Sequence, residues 1–168
     1  MTIDVTAVND APVGVSRTVT LSEDGSHTFT TAEFGFSDAV ESNGLLAVKV
    51  TTLPAAGSLK LNNVAVTTGQ FVSAADIVAN KLVFTPAPNA NGGGYASFTF
   101  QVQDTGGTAN GGIDLDATPR TMTVSVTAVN DAPASANGTV NTTEDTPYTF
   151  RIADFAFSDS NDVPANVF

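Results

Sequence analysis

Nine side chains carry the oxygen chemistry of this sequence: Asn9, Asp10, Asp38 and Asp104 in one group, and Glu23, Asn130, Asp131, Asp159 and Asp162 in another. All offer carboxylate or amide oxygens. The chain has no cysteine, and its single histidine, His27, belongs to neither group. Carboxylates brought close together repel one another unless a cation lies between them. A hard cation that takes about six to eight oxygens in flexible geometry is Ca²⁺, whereas zinc favours the nitrogen and sulfur donors missing here. Asn161 is an alternative donor to Asp162. Seven of the nine also have a plainer role: Asn9–Asp10 and Asn130–Asp131 form turns before Ala-Pro, Glu23 lies in a solvated turn, Asp38 bonds its own backbone, and Asp104 is a loop acid. Asp114 and Asp116 have a spacing that could hold a cation, and read by preference as acids that keep a Gly-rich loop soluble.

Residues so far apart in sequence meet only if strands carry them to common ends, and an internal repeat shows how. "VTAVNDAP" occurs at 5–12 and again at 126–133, and the alignment continues without gaps at an offset of 121 residues, the distance from Val5 to Val126. Glu23-Asp24 then faces Glu144-Asp145, and "FGFSD" at 34–38 faces "FAFSD" at 155–159. This divides the chain into the end of a preceding unit with its linker (1–10), one complete unit (11–131) and the start of a further unit (132–168). The last segment is short for burying enough apolar surface to offset its backbone entropy, so it is expected to be poorly ordered or to borrow strands from another molecule.

Within the complete unit, period-2 alternation marks strands with one buried face. "SFTFQVQ" places Phe98, Phe100 and Val102 on one side, "MTVSVTA" does so with Met122, Val124, Val126 and Ala128, and "LAVKV" with Leu46, Val48 and Val50. Asn62-Asn63 suits a two-residue hairpin turn, and Ser73 with Asp76 resembles a capping box on a single helical turn. Further strands are expected at 15–21, 27–31 and 82–86, while "NANGGG" at 89–94 reads as a turn. The fold class is all-β: an immunoglobulin- or cadherin-like antiparallel β-sandwich with one short helical turn. If its strands alternate in direction, Asn9, Asp10, Asp38 and Asp104 gather at the entry pole. Glu23, Asn130 and Asp131 then gather at the far pole with Asp159 and Asp162 of the next unit.

Composition excludes several functions. Six Lys and Arg against 17 Asp and Glu give a net charge of −11, which repels nucleic acid and anionic lipid. No apolar run is long enough to span a bilayer, so membrane insertion is not expected. His27 aligns with Tyr148, so that position accepts a ring without a base, and a Ser or Asp nucleophile would have no other imidazole to activate it. The chain reads as a non-enzyme.

The motifs "VTAVNDAP", "SED", "FSD" and "FTFQVQDTGG" resemble the bacterial cadherin-like and immunoglobulin-like tandem repeats of large surface adhesins, many of them secreted by type I (RTX) systems and involved in biofilm formation. The resemblance covers the complete unit and the partial one. It implies an extracellular, cell-surface module in which Ca²⁺ at the linkers stiffens an array, with adjacent repeats of the same chain as partners. Compared with the cadherin linker Asp-x-Asn-Asp-Asn-x-Pro, the first Asp is replaced by Ala7 and Ala128, and Val40 occupies the second acidic place after "FSD", leaving Glu41 to stand in. Fewer ions per junction than in cadherins are implied. A different reading makes the unit itself a binder of glycan or surface protein through its Gly-rich loop at 105–119.

Overall fold

The computed structural model describes residues 1–162, 165 and 167. The complete unit holds nine strands: β1 (Arg17–Ser22), β2 (His27–Thr28), β3 (Leu45–Val50), β4 (Ser58–Leu61), β5 (Val64–Ala65), β6 (Phe71–Ser73), β7 (Leu82–Thr85), β8 (Gly92–Asp104) and β9 (Arg120–Thr127). They form a five-stranded sheet, β1-β9-β8-β3-β6, and a four-stranded sheet, β2-β7-β4-β5. One hydrophobic core joins the two sheets, drawing Val48, Val102 and Val124 from the first and Leu59, Leu82 and Phe84 from the second. This is an immunoglobulin-like β-sandwich.

The inward phase of β8 and β9 follows the sequence alternation: Phe98, Phe100, Val102, Met122, Val124 and Val126 are all buried. Phe29 meets Phe98 and Phe34 meets Phe100 edge to face, with centroids 5.5 and 5.0 Å apart, the geometry that aromatic quadrupoles favour. Asn62 and Asn63 both have positive φ, and Leu61 pairs with Val64, as expected for the hairpin. The helix α1 (Ala74–Val78) starts at Ser73, whose Oγ accepts the Asp76 amide at 3.0 Å. It also plugs one end of the core with Ile77.

Three expectations fail locally. Leu46 is 47% exposed, because the pairing of β3 with β8 shifts register between Leu45 and Ala47, leaving Ala47 and Val48 buried in succession. Ala128 lies past the end of β9 and is exposed. The glycines at 92–94 already belong to β8, opening it through an irregular register against β9. In addition, β2 stops early, since Glu33 Oε2 accepts the Thr30 amide at 2.6 Å and starts a 3₁₀ turn.

All pairs are antiparallel except β1 with β9, which run parallel with Val19 opposite Val124. Both strands leave the same pole, and this pairing sets Glu23 beside the chain that exits β9: the Glu23 amide bonds Thr127 O at 2.9 Å.

The local structure of the unit's start recurs in the last segment. The antiparallel bridge of Val13 with Ser37 reappears as β10 (Ala134–Ala136) paired with β11 (Ala156–Ser158), Ala134 facing Ser158. The 3₁₀ turn at Thr31–Phe34 reappears at Ile152–Asp154. The ring pair Phe29–Phe34, 5.9 Å apart, has its counterpart in Phe150–Phe155, also 5.9 Å apart. The first pair is buried and the second exposed.

Candidate metal centre

At the entry pole Asp104 is fully buried, because it continues the inward phase of Phe98, Phe100 and Val102 to the end of β8. Its Oδ1 accepts Asn9 Nδ2 at 3.0 Å and the Gly106 amide at 2.8 Å, and its Oδ2 accepts the same Asn9 nitrogen at 3.2 Å. Asn9 Nδ2 also donates to Ile113 O at 2.8 Å, while the Ile113 amide donates to Asn9 O at 2.9 Å. Asn43 Nδ2 donates to Asn9 Oδ1. The entry linker is thus clasped to the body of the unit through one asparagine. A Cβ on Gly106 would collide with Asn9 Oδ1 and Asn43 Nδ2, so this close approach needs glycine.

Asp38 holds its own loop, accepting the amides of Val40 (3.3 Å), Glu41 (3.2 Å) and Asn43 (2.8 Å). Desolvation pushes its pKa up, but the amides of Asn43, Glu41 and Val40 outweigh this and leave it below the usual carboxylate range. Asp10 is exposed, and its amide donates to Glu41 Oε2 at 3.3 Å. The structure therefore joins Asn9 with Asp104 directly and brings Asp10 and Asp38 together through Glu41 and the 40–43 loop.

At the far pole Glu23 is buried, its Oε1 accepting the Val129 amide at 2.6 Å and its Oε2 accepting Asn91 Nδ2 at 3.0 Å. Asp24, at φ 60°, accepts the Asn89 amide at 3.0 Å. The Asp131 amide donates to Asp162 Oδ1 at 2.8 Å, repeating in the next unit the contact of Asp10 with Glu41. Asp159 and Asp162 are buried. Asn130 is exposed and donates to Asp131 O at 2.9 Å. The Oδ2 of Asp131 is buried with no hydrogen-bond partner among the described residues. Desolvation raises the Asp131 pKa first, followed by the negative charges of Asp24, Asp162, Glu23 and Asp159. Among the described residues, no three His, Cys, Asp or Glu side chains are gathered into a ready cage.

The sequence points to Asp116 as a solubilising acid, and the structure corrects this. Asp116 is buried, accepting the Gly14 amide at 2.8 Å, the Thr118 amide at 2.9 Å, and Arg120 Nε and Nη2 at 2.9 and 3.2 Å. Burial raises its pKa, but Arg120 and the Gly14 and Thr118 amides prevail and hold it below the usual range. A legible signal existed: Arg120 is one of only six basic residues and stands four positions from Asp116. Asn43, Asn91 and Gly106 carried no such signal, since their roles depend on loops that meet only in the fold.

These shifts have opposite signs and set a pH prediction. Asp38 and Asp116 have depressed native pKa values, so their contribution is present above the unfolded pKa and is lost as pH falls through the native values. Asp131 has a raised native pKa, so its ionisation weakens the fold as pH rises through that value, and acid relieves it. Carboxyl-resolved NMR titration should give Asp131 a midpoint above that of an ordinary aspartate, and Asp38 and Asp116 midpoints below it. The reverse order would contradict the geometry described above.

Residues 9–116 match the family model described as the bacterial Ig domain, and the chain belongs to that family. The family comprises structural and adhesion-type domains, typically surface-exposed, and is not a known enzyme family. No curated protein and no solved structure matches the chain. No helix among the described residues is long and apolar enough to cross a membrane.

Proposed function

We propose that the chain is a Ca²⁺-stiffened spacer from a large extracellular adhesin of the type I-secreted (RTX) kind, holding a distal binding domain away from the bacterial surface. The observation that supports this best is Asp131: a buried carboxylate oxygen with no hydrogen-bond partner among the described residues, on a group whose pKa is raised by desolvation and then by the negative charges of Asp24, Asp162, Glu23 and Asp159. A divalent cation would satisfy that oxygen and turn like-charge repulsion into attraction. Glu23, Asp131, Asp159 and Asp162, with Asn130, would hold it from both sides of the linker. Asn9, Asp10, Asp38 and Asp104 are the corresponding set at the entry linker, where the asparagine clasp supplies stiffness of its own. The alternative of a ligand-binding Gly-rich loop is less well supported, because Ile113 and Asp116 in that loop are engaged by Asn9 and Gly14.

Extracellular modules bind Ca²⁺ with Kd of roughly 10⁻⁴–10⁻³ M, so about 1 mM free ion adds on the order of 0.4–1.4 kcal/mol per site. Thermal unfolding should therefore shift upward by a few degrees in Ca²⁺ relative to chelator, and by less in Mg²⁺. Asp131→Asn should reduce the shift. Identical melting in Ca²⁺, Mg²⁺ and chelator would remove the metal from this reading.

A further inference from the structure

The complete unit contains three Asn-Gly steps: Asn43-Gly44, Asn91-Gly92 and Asn110-Gly111. The backbone nitrogen that follows an asparagine can attack its side-chain carbonyl carbon, Cγ, once the chain turns to bring the two together, and glycine, lacking Cβ, hinders that approach least. A step that is held in place does not make this turn. Asn43 is held twice, since its Nδ2 donates to Asn9 Oδ1 and the Gly44 amide donates to Thr105 Oγ1 at 3.2 Å. Asn91 Nδ2 donates to the buried Glu23 at 3.0 Å, and Gly92 already stands in β8 opposite Val126. Asn110 differs. It and Gly111 are exposed, in the 3₁₀ turn Ala109–Gly111, which Asn110 itself interrupts with φ 56° and ψ 23°. Its side chain forms no hydrogen bond among the described residues.

We propose that Asn110 is a site of spontaneous deamidation and that its isoaspartyl product loosens the entry linker. The Gly111 nitrogen gives its proton to solvent and bonds to Asn110 Cγ, the Cγ–Nδ2 bond breaks, and the side-chain nitrogen leaves as ammonia, which closes a cyclic imide. Water then opens the imide at one of its two carbonyls, giving aspartate or isoaspartate at position 110. No oxidant or reductant is needed. Isoaspartate routes the main chain through the side-chain carbons and so adds a methylene to the turn, together with a negative charge. The turn lies against the clasp. The Gly112 amide closes it on Ala109 O at 3.0 Å, and a Cβ on Gly112 would stand 3.1 Å from Asn9 Cβ. The next residue, Ile113, accepts Asn9 Nδ2 at 2.8 Å and donates to Asn9 O at 2.9 Å. A lengthened turn pulls Gly112 and Ile113 away from Asn9, so the hold on the linker weakens as the protein ages. The reaction involves no cation, so its outcome is independent of the calcium reading.

The test is incubation of the whole chain in chelator at mildly alkaline pH, followed by peptide mapping with mass spectrometry, which reads the exchange of NH₂ for OH, and by chromatographic isolation of the isoaspartyl form. Within the complete unit Asn110 should react first. Asn43 should lag by roughly tenfold or more, because two hydrogen bonds must open before it can react. Thr105→Ala frees the Gly44 amide and should bring Asn43 forward severalfold while leaving Asn110 unchanged. Asn110→Gln, whose longer side chain would have to close a larger ring, should stop the reaction at this peptide. In the isoaspartyl fraction amide exchange at Ile113 should accelerate severalfold, while the core strands keep their protection. An Asn110 that keeps its amide while Asn43 or Asn91 reacts, an Asn43 rate unmoved by Thr105→Ala, or an isoaspartyl fraction that exchanges at Ile113 like the parent chain would each overturn the proposal.

Discussion

Asp116→Ala should destabilise the complete unit by about 3 kcal/mol, the lower part of the range for breaking a buried ion pair. The substitution leaves the Gly14 and Thr118 amides without their acceptor and strips Arg120 of both its hydrogen bonds. The loss falls at the lower end because the Arg120 side chain is 27% exposed and can turn to water. For a unit of this size that corresponds to a fall of roughly 10 °C in Tm. Asp116→Asn keeps an acceptor oxygen but loses the charge, and should fall between the two. Urea unfolding measures both variants; a loss under about 0.5 kcal/mol for the alanine form would mean that the pair is solvated and does not staple the first strand to the last.

Asp104→Ala should cost about 2 kcal/mol, since it removes the buried carboxylate that accepts both the Gly106 amide and the half-buried Asn9 side chain. Its larger consequence is mechanical: the clasp that ties Asn9 to the 104–113 loop loses its central acceptor. Amide exchange at Gly106 and Ile113 should accelerate, while the core strands keep their protection. Asn9→Ala should reproduce most of this, and a double-mutant cycle should return a coupling of about 1 kcal/mol. Additive single effects would mean that Asn9 and Asp104 act separately and that the linker is held by other contacts. Gly106→Ala provides a third route to the same release, through collision with Asn9 and Asn43 instead of loss of an acceptor.

The two carboxylates show how differently the sequence exposes a site. Asp104 continues a two-residue alternation of large apolar side chains, so its inward direction follows from the period of an extended strand alone. Asp116 stands in a loop of glycines and small polar residues, where no period exists and burial depends on where Gly14 and Arg120 lie in space. The unit's start is legible for another reason. The bridge, the 3₁₀ turn and the paired phenylalanines depend on contacts within about 25 residues, so they recur at 134–158 without the rest of the sandwich. Leu46 departs from the alternation because a bulge in the pairing with β8 cancels it, and pairing irregularities are decided by the partner strand.

From its sequence alone the protein is an acidic, cysteine-free β-sandwich repeat, with its strands, its hairpin turn, its short helix and the two poles at which its acids fall. Local propensity, period-2 patterning and a 121-residue repeat are all properties of the linear chain. The tertiary structure alone decided that β1 lies parallel to β9 and that Asn9 is the clasp. It also decided that Asp116 is buried on Arg120 and that Glu23 is held by the Val129 amide and Asn91. These outcomes depend on distances between segments a hundred residues apart, which side-chain packing and electrostatics fix only once both sheets have closed on the core.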